Sequence, residues 1–367
     1  MRQNTIEYVD FAKGYAIFTI VCYHALQKTS LAPVAQKAIV FGGTGVHLFF
    51  LLSGFGLALS KNTGSALAFY RRRLTKIWLP YILALSISLL GAYCFGLFPD
   101  RWAAWFAGVG LYQMFVESYI LSFGGHFWFI SAIIQLYFFF PVLLWAKKKL
   151  GHNGLFLALS LVVSMIWWLT VFYLNKGQWR TWNSFFLQFL WEFALGMVLA
   201  DSVARGQQTD NDTLQPRFFE QYLPLYPSFS PDFRRLGYFL LAGLVFTGLM
   251  GAMIFFWGEI GRIFNDIPAL IGYTALSMLL YGVGLRAWTP LKSFFLWVGS
   301  FSYSLYLIHV LVLESYLRGL KNAGFADVPL VWLLPFIPLA LLGGRLFEPL
   351  SQWWTGQLSA LRSSPRQ

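Results

Sequence analysis

This sequence has little charge. Only 11% of its 367 residues are Asp, Glu, Lys or Arg, against roughly 25% in a soluble domain. Most of the chain therefore has no need to face water, which argues against a soluble fold. Cysteine is scarcer still. Cys22 and Cys94 both lie in apolar runs, so neither a disulfide framework nor a metal site is expected. Alternating segments of about ten residues are missing, which argues against a transmembrane β-barrel. No internal repeat is visible, which weakens a transporter reading. No small-residue cleavage site follows the first apolar run, which therefore reads as an uncleaved first span.

What is present is apolar. Hydrophobic residues make up 57% of the chain and aromatics 20%. Runs of about 20 apolar residues recur along its length, the pattern of an all-α, polytopic transmembrane helical bundle. We read residues 1–367 as one integral membrane domain. Spans are expected near 10–28, 45–60, 77–98, 127–146, 154–175, 184–201, 236–257, 267–286, 293–313 and 328–350, about ten in all.

Charge orients these spans. "YRRRLTK" from Tyr70 and the run Lys147, Lys148, Lys149 should both face the cytoplasm. Both do so only if an even number of crossings separates them. The apolar segment Trp102–Ile120 is therefore demoted to an interfacial or re-entrant piece. Both termini then lie in the cytoplasm, as does the polar segment 201–235, expected to be a loop with at most a short helix. The net charge of +12 fits this inside bias and anionic headgroups, and no nucleic-acid partner is expected.

Against this background, ionisable residues inside spans become functional candidates. Lys13 and His24 lie 11 residues apart, about three turns, so they share a helix face some 16 Å apart. Asp10 sits one turn before Lys13. Together they form a polar stripe that needs a polar interior to face. A bland alternative has Lys13 snorkelling to headgroups and His24 bonded to a neighbouring helix. His309 lies mid-span, with Tyr303 and Tyr306 on adjacent turns. Arg345 and Glu348 are spaced for an intrahelical pair.

The same residues begin a family resemblance. "YVDFAKGYAIFTIVCYHA" resembles the first-span motif of acyltransferase family 3, a basic residue followed by a histidine. "GGTGVHLFFLLSGFGLALS", "FYRRRLTKIWLPY", "HFWFISAIIQLYFFFP" and "FSYSLYLIHVLVL" resemble its later blocks, in order. There are departures. Lys13 and Lys76 replace arginines, His47 stands where aspartate is common, and Ile133 and Ile134 stand where many members carry glutamate.

The resemblance implies a membrane O-acyltransferase, by default an O-acetyltransferase, of a bacterial inner membrane. It implies acetyl-CoA or another acyl-CoA as cytoplasmic donor substrate, with no tightly bound cofactor. The acceptor would be a hydroxyl of a surface glycan or lipid-linked sugar. On that basis His24 is the expected catalytic residue, as general base or as the acylated group. Lys13, Arg71, Arg72, Arg73 and Lys76 are expected to grip CoA phosphates. Asp10, His309, Tyr303 and Trp128 are possible supports. A transporter or flippase for a glycan or lipid intermediate is the competing expectation.

Overall fold

The structure, a computed structural model, describes residues 7–60, 65–209, 231–254, 257–286, 288–325 and 329–363. Among the described residues there are helices and turns and no strand. The helices are α1 (Glu7–Leu26), α2 (Pro33–Gly43), α3 (Gly45–Leu59), α4 (Ala66–Cys94), α5 (Trp102–Val109), α6 (Glu117–Ile120), α7 (Trp128–Leu150) and α8 (Asn153–Tyr173). They continue with α9 (Arg180–Asn183), α10 (Leu190–Thr209), α11 (Pro231–Ile254), α12 (Gly258–Phe264), α13 (Asp266–Arg286), α14 (Thr289–Gly299), α15 (Ser302–Asn322) and α16 (Leu333–Ser363).

Local chemistry sets many of the boundaries. Ser65 caps α4 by accepting from the Ala68 N–H at 3.3 Å. Pro33 opens α2, where its missing N–H costs nothing. The long α7 stops at Gly151, whose φ of 66° reverses the chain. Large apolar side chains such as Leu155, Leu159, Ile166 and Leu169 are exposed along α8. In water such a face would drive aggregation. In hydrocarbon it is the expected outer surface.

Among the described residues, seven helical stretches are long and apolar enough to cross a membrane, or eight if the bent pair α14–α15 is one span. The count of ten is thus not established. Helix α1, at 20 residues, falls short because Asp10, Lys13 and His24 dilute its apolarity. Within α11 the stretch Leu240–Gly251 is apolar.

Other expectations need correction. Residues 293–313 do not form one straight crossing, because α14 and α15 meet at 81°. Ser300 bonds back to the Trp297 carbonyl at this bend. The second span starts earlier than expected, since α2 runs into α3 to give 27 residues from Pro33 to Leu59. Helix α10 extends to Thr209, into the stretch expected to be loop. The middle of that loop, 210–230, lies outside the described residues. The segment Trp102–Ile120 is broken into α5, a 3-10 turn at Tyr112–Phe115 and α6. An eight-residue helix reaches only about 12 Å, so no single helix in it crosses.

Glycine pairs bring the central helices together. A Cβ on Gly54 (α3) would fall on the Phe193 carbonyl of α10, and one on Gly196 would fall on the Leu51 carbonyl of α3. Gly14 and Gly299 do the same for α1 and α14, meeting Phe295 and Asp10 carbonyls. Such small-residue seams are how helices associate where no hydrophobic force separates them from lipid. They fix α1, the helix carrying His24, against its neighbours.

Candidate active site

The last turn of α1 presents half-buried His24 to a cavity of about 480 Å³. The α2–α3 hinge, the segments 121–128 and 177–189, the start of α13 and one face of α15 complete its walls.

Three histidines gather beside it. The His24 and His309 rings are 5.2 Å apart, and His309 and His126 are 5.0 Å apart. His126 and His309 are buried, at 3% and 0% exposure. His126 is placed by two glycines before it, Gly124 and Gly125, with φ of 95° and 78°. A Cβ on Gly124 would also strike Val310. Tyr306 donates its hydroxyl to the His126 carbonyl.

Backbone carbonyls assign the tautomers. His309 Nδ1 lies 2.7 Å from the Tyr306 carbonyl, and His126 Nε2 lies 3.3 Å from that of Leu307. A carbonyl only accepts, so these nitrogens carry the protons. His309 Nε2 and His126 Nδ1 are left as lone pairs, both buried and both without a partner. The site thus holds two free basic nitrogens beside a cavity-lining imidazole.

A second polar group forms the opposite wall. His47 Nδ1 is 2.8 Å from Glu192 Oε1, and its Nε2 is 3.7 Å from Asp266 Oδ1. Gln188 donates to Asp266 Oδ2 at 2.6 Å. The Arg180 guanidinium stacks 4.4 Å from the Trp128 ring centre. Its backbone is held by Glu117, which accepts from Arg180 N–H at 2.7 Å and from the Thr181 N–H and hydroxyl at 2.9 and 2.7 Å. Burial pushes the Glu117 carboxyl up, but these donors and the Arg180 charge outweigh it and hold it below its ordinary value.

The sequence-derived candidates fall into two groups. His24 and Trp128 line this cavity, and His309 lies beside His24 without lining it. Lys13, Asp10, Arg71, Arg72, Arg73 and Lys76 do not line it. Lys13 pairs with Asp10 at 3.5 Å, with both about one-third exposed. Arg73 reaches Ser60 at 3.3 Å, and Lys76 feels the charges of Arg73, Lys13 and Glu348. Arg71 and Arg72 are exposed at the start of α4. Tyr303 belongs with this second group, donating to the Ile77 carbonyl at 2.7 Å. Between Lys13 and His24, α1 buries Ile17, Ile20 and Val21 in the apolar core. Glu348 accepts from Ser304 and from Gln352 rather than pairing with Arg345, whose guanidinium lies 6.0 Å from the Phe301 ring centre.

Sequence reasoning missed His126, Glu117, Arg180 and the His47–Glu192–Asp266 group. Glu192 carried a usable signal, a carboxylate inside an expected span, by the same rule that flagged Lys13. The others become visible only once the helices are packed.

Set against known families, residues 6–347 match the description "Acyltransferase domain", nearly the whole chain. No curated protein and no solved structure matches.

Proposed function

The chain belongs to acyltransferase family 3, and from that premise we propose that it is a membrane O-acyltransferase centred on His24. The donor is an acyl-CoA, most simply acetyl-CoA, and the acceptor a hydroxyl of a surface glycan or lipid-linked sugar. In this reading the protein sits in a bacterial inner membrane with both termini in the cytoplasm. The observation that carries it is the cavity-facing His24 backed by two buried histidines with free lone pairs.

The chemistry runs as follows. His24 removes the proton from the acceptor hydroxyl, and the oxygen attacks the thioester carbonyl. The C–S bond breaks as the new ester C–O bond forms, and the departing thiolate takes the proton from the His24 imidazolium. Transient acylation of His24 followed by transfer to the acceptor balances equally well. In this reading His309, whose ring centre lies 5.2 Å from that of His24, orients the His24 ring or relays its proton.

The cavity wall suits a sugar. Tyr23 and Trp128 offer flat apolar faces, and Gln178, Asn183 and Asn265 offer paired donors and acceptors. At the far end of α1, Arg71, Arg72, Arg73, Lys76 and Lys13 supply the positive charge a CoA diphosphate requires. The thioester must then travel from there to His24, a distance of about 16 Å along α1.

The test is CoA release. Purified protein in liposomes, given acetyl-CoA and a sugar acceptor, should liberate CoA as the acceptor gains an ester. A flippase would move a glycan lipid with acyl-CoA untouched, and that result would replace this reading.

A further inference from the structure

The group His47, Glu192 and Asp266 is not needed for the acyl-transfer steps, yet its burial is costly. Glu192 is 0% exposed, Asp266 4% and His47 5%. Two carboxyl groups buried together must either take up protons or share a positive charge. The three side chains come from α10, α13 and α3, and each offers a ligand atom within 4.8 Å of the others.

A doubly protonated His47 bridging both acids is the simplest source of that charge. It leaves too much unsatisfied. The 2.8 Å contact to Glu192 is a hydrogen bond, but the 3.7 Å gap between Nε2 and Asp266 Oδ1 is too long for one. Two ligands each about 2.1 Å from a shared ion sit up to about 4.2 Å apart, which accommodates that gap. Glu192 Oε2 and Gln188 Oε1 are also buried acceptors with no donor. Gln188 meanwhile fixes the other Asp266 oxygen at 2.6 Å, the kind of outer contact that aims a ligating carboxylate.

We propose that His47, Glu192 and Asp266 form a binding site for a divalent transition-metal ion in the cavity wall. One imidazole nitrogen with two carboxylates suits Mn²⁺ or Zn²⁺. His47 and Asp266 both line the cavity, so its remaining coordination positions open to water or to acceptor oxygens. The inference does not depend on acyl transfer, because it is read by metal content.

The experiment uses full-length protein purified without a polyhistidine tag, stripped with chelator and dialysed against Mn²⁺, Zn²⁺ or Co²⁺. The wild type should retain about one ion per chain by elemental analysis, and Co²⁺ should give visible d–d absorption that EDTA removes. Asp266→Asn and Glu192→Gln should each weaken the ion at least about tenfold. His152→Ala, remote from the group, should bind as the wild type does. If the variants do not stay monodisperse, the wild-type Co²⁺ spectrum alone decides. Wild type that retains no ion and shows no Co²⁺ absorption overturns the site in favour of a bridging imidazolium or protonated carboxyl groups. Unchanged binding in both folded carboxylate variants also overturns it.

Discussion

Glu117 ties the segment before α7 to the segment before α10, and its substitution gives a quantitative expectation. Its two oxygens accept three hydrogen bonds, at 2.7, 2.9 and 2.7 Å, from Arg180 and Thr181. Glu117→Gln keeps the shape but removes the charge and turns an NH₂ group toward donors. At least one charge-assisted bond is lost, worth about 1.5–3 kcal/mol. Glu117 is only half-buried, so solvent screening reduces this to about 1–2 kcal/mol. That corresponds to roughly a 5–30-fold rise in local opening.

Hydrogen exchange at the Arg180 and Thr181 amides reads this directly. Exchange there should accelerate by about that factor, while protection in the core of α3 and α10 stays unchanged. Because Arg180 lines the cavity, KM for the acceptor should rise more than kcat falls. The sign with pH follows from the depressed carboxyl. Its contribution is present above the unfolded value of about 4.3 and is lost as pH falls through the lower folded value. Wild-type protection should therefore hold at neutral pH and fade only in acid, whereas the Gln variant shows no such loss. Equal exchange at both amides in the two proteins at pH 7 would refute the clamp.

Three further expectations follow from the same geometry. His309→Gln should lower kcat about 100-fold with acyl-CoA binding intact, the lower end of what a proton-transfer partner contributes; unaltered turnover removes His309 from the mechanism. Arg73→Ala should weaken acyl-CoA binding in a calorimetric titration and leave acceptor choice alone, and an unchanged affinity counts against the phosphate grip. Gly299→Ala would set a methyl on the Asp10 carbonyl of α1. It should destabilise the bundle by about 1–3 kcal/mol, visible as a lower Tm, and an unshifted melt would show that this seam has slack.

How much was legible in advance depended on whether a feature is local. The apolar runs announced a helical membrane fold, and ionisable residues within them singled out His24 and His309. What sequence could not show is what one helix does to another. His126 meets Tyr306 across 180 positions, and His47 meets Glu192 across 145. No spacing rule reaches that far. Lys13 and His24 share a face of α1, as periodicity required, but the buried isoleucines between them separate the two polar ends. The 81° break after Gly299 was hidden because the run through it stays apolar. The short α2 was hidden because its proline start resembles a loop.

The most direct test of the central claim is transfer of radiolabelled acetyl from acetyl-CoA by purified protein in liposomes, wild type beside His24→Ala. The account predicts label on the acceptor with wild type and none above background with a folded, well-expressed variant. Transfer by His24→Ala at the wild-type rate would contradict it.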